Sequence, residues 1–152
     1  MHKTIVLLIS SALFSLQLAA AEGVISVKSR FKVAHTADRF KGVAEKQGMH
    51  VFKHIYHSEN AKSEGKTIRP TELIIFGNPK IGSALMACNP TIGLDLPQKL
   101  LVWQDKQEQT WMSYNNPVYI ADRHGLNKEC RENLHKIAIV LEKLTSIAGD
   151  TQ

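Results

Sequence analysis

Alternation of apolar and polar residues marks the strands of this chain, and a 3.6-residue rhythm marks its last helix. From Gly23 to Arg30, Val24, Ser26 and Lys28 fall on one face and Ile25 and Val27 on the other, which predicts a first strand. Thr36 then reads as a helix N-cap with Asp38 in the first turn. Phe40, Val43, Ala44 and Gln47 follow at helical spacing, and Gly48 is placed to stop the helix. Met49–His57, rich in Val, Phe, Ile and Tyr, predicts a second strand. Ser58–Lys66 is polar and holds a short helix at best. Thr71–Phe76 predicts a third strand, and its Leu73-Ile74-Ile75-Phe76 run predicts burial on both faces. Gly77, Asn78 and Pro79 supply a bend, a cap and a first helical residue for a short helix carrying Ile81, Leu85 and Met86, which Asn89-Pro90 ends. Thr91–Gln98 reads as a loop.

The second half is simpler. Lys99–Gln104 and Gln109–Tyr114 predict a hairpin around the polar turn 105–108, with Trp103 and Trp111 available to each other across the strands. Asn115-Asn116-Pro117 opens a short helical turn that runs to Arg123. From about Asn127 to Ala148, Cys130, Leu134, Ile137, Leu141, Leu144 and Ala148 form one stripe of an amphipathic helix, which must be buried against the sheet. Strands in succession followed by one covering helix predict an α+β fold rather than a wound parallel sheet.

The N-terminus changes where this fold is expected to work. His2 and Lys3 form a small basic region, Ile5–Leu18 an apolar run, and Ala19-Ala20-Ala21 the small residues that a signal peptidase accepts. The pattern predicts a signal peptide over residues 1–21, cleaved after Ala21, and a single domain over residues 22–152. The protein is thus expected to be periplasmic or secreted, without stable membrane insertion after cleavage. The apolar run is short beside the roughly 20 residues of a membrane span. The formal charge of the chain is +5, but acidic and basic residues are interspersed. That favours solubility and gives no clustered basic stripe, so no nucleic-acid partner is expected. Cys88 and Cys130 form an even pair in an oxidising compartment, outside any CxxC spacing. They fit either a disulfide or two buried thiols packing as small apolar groups.

One set of residues points to a family. Arg69-Pro70-Thr71-Glu72-Leu73-Ile74-Ile75-Phe76-Gly77-Asn78-Pro79-Lys80 is followed by Gly82, Leu85-Met86, Pro90-Thr91 and Leu94-Asp95-Leu96-Pro97. Leu101-Val102-Trp103, Tyr114-Asn115, Pro117 and Arg123-His124-Gly125-Leu126 continue the pattern, as do Phe52, Ile55 and His57. Over about Val24 to Leu144 the chain resembles the DUF302 family, a bacterial and archaeal group of unknown function. The resemblance implies a TATA-binding-protein-like arrangement, β-α-β(4)-α with short helical insertions, in which a long C-terminal helix packs on a curved, mainly antiparallel sheet. It also implies a homodimer. It implies no activity, cofactor or catalytic residue, and Cys88 and Cys130 depart from the family's pattern.

Candidate chemistry is limited. The chain has 7 histidines. His50 and His54 would share a strand face about 13 Å apart, too far for one ion with ligand bonds of about 2.0–2.1 Å. His124 and His135 lie on different elements, so no metal ligands are assigned. Gly77-Asn78-Pro79-Lys80 could hold an anion at a helix start, although the same residues make an ordinary bend and cap. Asp95, Tyr114, Asn115, Arg123 and His124 sit near element ends, where a cleft could form. There Asp95 and His124 could act as an acid–base pair, or Arg123 could hold a carboxylate; turn and cap duties are the alternatives. No GxSxG motif or recognisable Cys/His arrangement is present, so no catalytic residue is assigned. A cavity between sheet and helix, lined by Met86, Trp103, Trp111, Leu134 and Leu141, is the alternative to a dry core of the same residues. The expected function is non-catalytic binding of a small apolar or amphipathic ligand, with Lys80, Asp95, Trp103, Tyr114, Asn115, Arg123 and His124 as candidate contacts. A metal- or redox-linked accessory role and a small enzyme using Asp95, Arg123 and His124 are the rival readings.

Overall fold

The computed structural model describes residues 23–150, so the expected signal peptide lies outside the described residues. The strands are β1 (Val24–Ser29), β2 (His50–Tyr56), β3 (Thr71–Gly77), β4 (Gln98–Gln104) and β5 (Thr110–Asn115). They form one antiparallel sheet in the order β1-β5-β4-β3-β2. The helices are α1 (Val33–Lys46), α2 (His57–Ser63), α3 (Pro79–Cys88), α4 (Pro117–Arg123) and α5 (Lys128–Gly149), with a 3₁₀ turn over Pro90–Leu94. The fold is α+β, with a long C-terminal helix on an open antiparallel sheet.

Period-two burial decides which side of the sheet the helices cover. Ile74, Phe76, Leu100, Val102, Met112 and Tyr114 point to one face and are buried with Ala37, Phe40 and Ala44 of α1 and Leu141, Leu144 and Ala148 of α5. The Phe40 and Phe76 rings meet edge to face with centroids 4.8 Å apart. Leu73 and Ile75 stand on the other face and are only half-buried. The expected two-sided burial of β3 is therefore corrected: an antiparallel sheet needs helices on one face only. On that open face Trp103 and Trp111 are register partners, stacked with centroids 6.5 Å apart.

A second buried cluster, Leu85, Ile92, Ile120, Ala121, Leu126, Cys130 and Leu134, joins α3, the 3₁₀ turn and α4 to the first half of α5. The stripe on α5 thus serves two cores, and Ile137 packs against both. At the far end of α5, Arg39 donates through Nε to the Ala148 carbonyl and through Nη2 to the Ile147 carbonyl, each at 2.8 Å. It thereby satisfies acceptors that a helix terminus leaves free.

Two local expectations need correction. Thr36 does not cap α1, which begins three residues earlier after Lys32, without a side-chain cap. The Thr36 hydroxyl is instead buried 2.7 Å from the Ser29 hydroxyl and donates to the Phe31 carbonyl. The stretch read as a loop over 91–98 contains the 3₁₀ turn, capped by Asn89. Asn–Pro starts operate as expected at Asn78 and Asn116, and Asn89, read as a helix end, makes a third: each accepts a backbone N–H two residues on, ahead of a proline at the first helical position.

Candidate functional site

Where the two cores meet, the side chains do not fill the space between β3, β4, α3 and α5. A cavity of about 380 Å³ remains, within the range of small-molecule sites. Phe76, Leu85, Ile137 and Leu141 form its wall toward the cores, Leu96, Pro97 and Gln98 flank it at the entry to β4, and Pro79, Ile81, Gly82, Ser83 and Met86 come from α3. No lining residue carries a charge. The rim is apolar and wet: Phe52, Ile81 and Met86 are 47%, 42% and 41% exposed. Phe52 reaches this rim because the β2–β3 register shifts between Val51 and Lys53, so one residue of β2 bulges out of the alternation.

Three lining residues have polar side chains. The Asn78 side-chain Oδ1 accepts from the Lys80 N–H at 3.0 Å, and the Ser83 hydroxyl donates to the Pro79 carbonyl at 2.8 Å. Both are therefore spent on holding α3. Gln98 is different: it is buried, opposite Phe76 in the strand register, and its Nε2 has no partner among the described residues.

α3 itself buries only Leu85. Its C-terminal end is held by a disulfide between Cys88 and Cys130, whose Cα atoms are 6.6 Å apart, a normal bridging distance. The bridge links this wall of the cavity to the long helix behind it.

A separate polar cluster lies at the 3₁₀ turn. His124 Nε2 is 2.6 Å from Asp95 Oδ2, and both side chains are buried. Arg123 Nη1 approaches Asp95 Oδ1 at 3.4 Å. Asn89 donates through Nδ2 to the His124 carbonyl, which turns its Oδ1 toward the Thr91 N–H and hydroxyl. The Thr91 hydroxyl donates there, so at 2.8 Å the His124 Nδ1 is the donor to Thr91 Oγ1. The other ring nitrogen faces the Asp95 carboxylate. Each of these side chains has its partners, and the arrangement ties the turn to α4.

The expected contacts are consequently dispersed. Asp95, Arg123 and His124 come together, as the acid–base reading required, but outside the cavity lining. Trp103 and Trp111 lie on the open face, where Trp103 Nε1 donates to Ser113 Oγ and Trp111 Nε1 to Asp105 Oδ2. Tyr114 is in the sheet core, where burial raises its phenol above its usual value. Asn115 ends β5, opposite Val24, and Lys80 is exposed in the first turn of α3. Of the residues expected around a cavity, Met86 and Leu141 line it, whereas Leu134 belongs to the second core. Sequence reasoning missed Phe52, Gln98 and Ile137 as a group. Gln98 had a usable signal, a polar residue in the inward phase of Gln98, Leu100 and Val102.

The histidines are also dispersed. Lys41 Nζ donates to His54 Nδ1 at 3.2 Å, and His54 Nε2 donates to Glu72 Oε2 at 2.7 Å. His50 packs near the Phe52 ring, with centroids 6.1 Å apart, and His57 opens α2. Among the described residues no group of three His, Cys, Asp or Glu side chains could hold a metal ion. Among them, too, no helix is long and apolar enough to cross a membrane.

Comparison with known proteins places this geometry in a family. The chain is 45% identical over 104 residues to the fluoride-specific ion channel FluC 1 of Brucella suis, covering 68% of this chain and 41% of that one. It matches the fluoride-specific ion channel FluC 2 of Brucella melitensis equally, over 38% of that protein. The chain thus spans about two fifths of the length of these relatives. A crystal structure of an uncharacterized conserved DUF302 protein from Bacillus stearothermophilus superposes with a TM-score of 0.71 at 19% identity, covering 86% of this chain and 98% of that one. It shares the fold. The family model for the domain of unknown function DUF302 matches residues 25–144, and the chain accordingly belongs to the DUF302 family.

Proposed function

We propose that this protein is a non-catalytic binding protein for a small apolar or amphipathic molecule, exported to the periplasm and acting as a homodimer. The observation that carries the reading is the uncharged cavity with its exposed apolar rim of Phe52, Ile81 and Met86. Large apolar side chains left wet around a cavity gain by covering themselves with a ligand. A ligand that buries about 200 Å² of apolar surface gains about 5 kcal/mol, which corresponds to a dissociation constant of roughly 0.1–1 mM before any polar contact. The basic, apolar and small-residue sequence of residues 1–21 supports export. The uncovered sheet face supports pairing with a second copy, because Leu73, Ile75, Leu101, Trp103 and Trp111 stand there while the sheet's core residues lie on the opposite face.

The test is native mass spectrometry of protein purified from the periplasm, followed by titration with the neutral fluorophore N-phenyl-1-naphthylamine. A dimer, extra bound mass and saturable uptake of the fluorophore are expected. Gly82→Leu should keep the fold and abolish uptake, because Gly82 lines the cavity and a Cβ there meets nothing within 4 Å. Wild-type protein that takes up no fluorophore and carries no extra mass defeats the binding reading. Leu101→Lys should give monomers in analytical ultracentrifugation; an unchanged dimer removes the open face as the interface.

A further inference from the structure

We infer that the ligand of this cavity is uncharged and carries a hydrogen-bond-accepting oxygen that meets the side-chain amide of Gln98. The inference rests on the binding reading above and specifies the chemistry of the same site. Gln98 is 6% exposed and lines the cavity, and its buried Nε2 has no partner among the described residues. Buried amide N–H groups are almost always paired, because an unpaired one has given up water without replacement. Neither of the other two polar side chains of the lining bonds this amide: Asn78 Oδ1 accepts from the Lys80 N–H and the Ser83 hydroxyl is turned to the Pro79 carbonyl. With the Gln98 side chain turned toward the cavity, an oxygen brought in by the ligand completes the set.

Charge narrows the class further. A carboxylate or an ammonium group in this cavity would lose its hydration and find no counter-charge, since no lining residue is ionisable. A ketone, ester or alcohol oxygen on an apolar body suffers no such penalty. The surrounding Leu85, Met86, Ile137 and Leu141 suit that body. The ligand class is therefore a neutral apolar molecule with a polar oxygen, as distinct from a fatty-acid anion or an amphipathic cation.

Displacement of N-phenyl-1-naphthylamine by three eight-carbon probes tests this at pH 7.5: octan-2-one, octanoate and octylammonium. Octan-2-one should bind at least about tenfold more tightly than either ion. Gln98→Leu should weaken octan-2-one about three- to tenfold relative to the fluorophore, and an unchanged circular dichroism spectrum shows that the fold is kept. Gln98→Met provides the same comparison in a second packing context. Equal binding of octanoate or octylammonium and octan-2-one overturns the inference, as does unchanged octan-2-one affinity in both variants. In those cases the binding reading survives. Failure of the wild type to take up the fluorophore defeats both.

Discussion

Removing the Cys88–Cys130 bridge should cost this protein a large part of its stability and loosen the cavity wall. The two cysteines are separated by 42 residues, and at that loop size the chain-entropy relation gives about 4 kcal/mol from the restricted unfolded state. Small domains have a total of roughly 5–15 kcal/mol, so the loss lowers the melting temperature by roughly 10–20 °C. A local effect is expected as well. α3 has one fully buried side chain, Leu85, so its C-terminal end depends on the bridge for its position against α5. The perturbation is best made in two ways, because Cys130 is buried and its sulfur also packs. Cys88→Ser removes the cross-link and keeps that sulfur, whereas the double change Cys88→Ser with Cys130→Ala removes both. Urea unfolding should show most of the loss already in Cys88→Ser, and hydrogen exchange should show faster opening of 79–88 than of β3 or β4. A loss below about 1 kcal/mol in both variants would refute the reasoning. So would full alkylation of both thiols in wild-type protein without reductant.

Four further outcomes follow from single residues. Gly149→Ala should destabilise by about 1–3 kcal/mol in urea unfolding, because the new Cβ would lie 2.7 Å from Met112 Cε and 2.8 Å from the Lys28 carbonyl. Gly82→Ala meets nothing within 4 Å and should stabilise by roughly 1 kcal/mol through helix propensity; a loss at position 82 would contradict the placement of α3. Burial raises the Tyr114 phenol above the value of 10.0. The folded state therefore holds this proton more tightly than the unfolded chain, and stability should fall as pH rises above about 10. Tyr114→Phe should remove that component of the pH profile, which denaturation midpoints between pH 8 and 11 would show. The Trp111 indole bond, followed by backbone bonds from Gln109 and Gln107, holds Asp105 below 3.8. Its contribution is then present above the unfolded value and lost as pH falls through the lower folded value. Tryptophan fluorescence should report this only below pH 3.8, and Asp105→Asn should erase the acid transition.

The sequence by itself determined the elements and the class of fold. Strand alternation in β1, β4 and β5, the stripe from Cys130 to Ala148, and the Asn–Pro starts at Asn78 and Asn116 are local signals. Each fixes a backbone conformation or an inward face within a few residues. Local signals also carried the family pattern around Gly77-Asn78-Pro79-Lys80. They could not say which face of β3 meets a helix, since Leu73-Ile74-Ile75-Phe76 is apolar throughout and only the sheet's partners decide. Nor could they reveal Thr36 as a buried bond to Ser29 rather than a cap, because that depends on how β1 meets α1.

The site belongs to tertiary structure still more fully. Phe52 comes from a bulge, Leu85 from a short helix, Gln98 from the mouth of a strand and Ile137 from the long helix. They are neighbours only because the sheet register and the two cores on α5 bring their elements together. The same holds for Asp95 with His124 and for Cys88 with Cys130, whose types suggested chemistry but whose distances depended on the fold. A cavity is the volume that side chains from distant segments fail to fill. No periodicity along one segment can encode it, and so the chain announced its strands and helices but not the space between them.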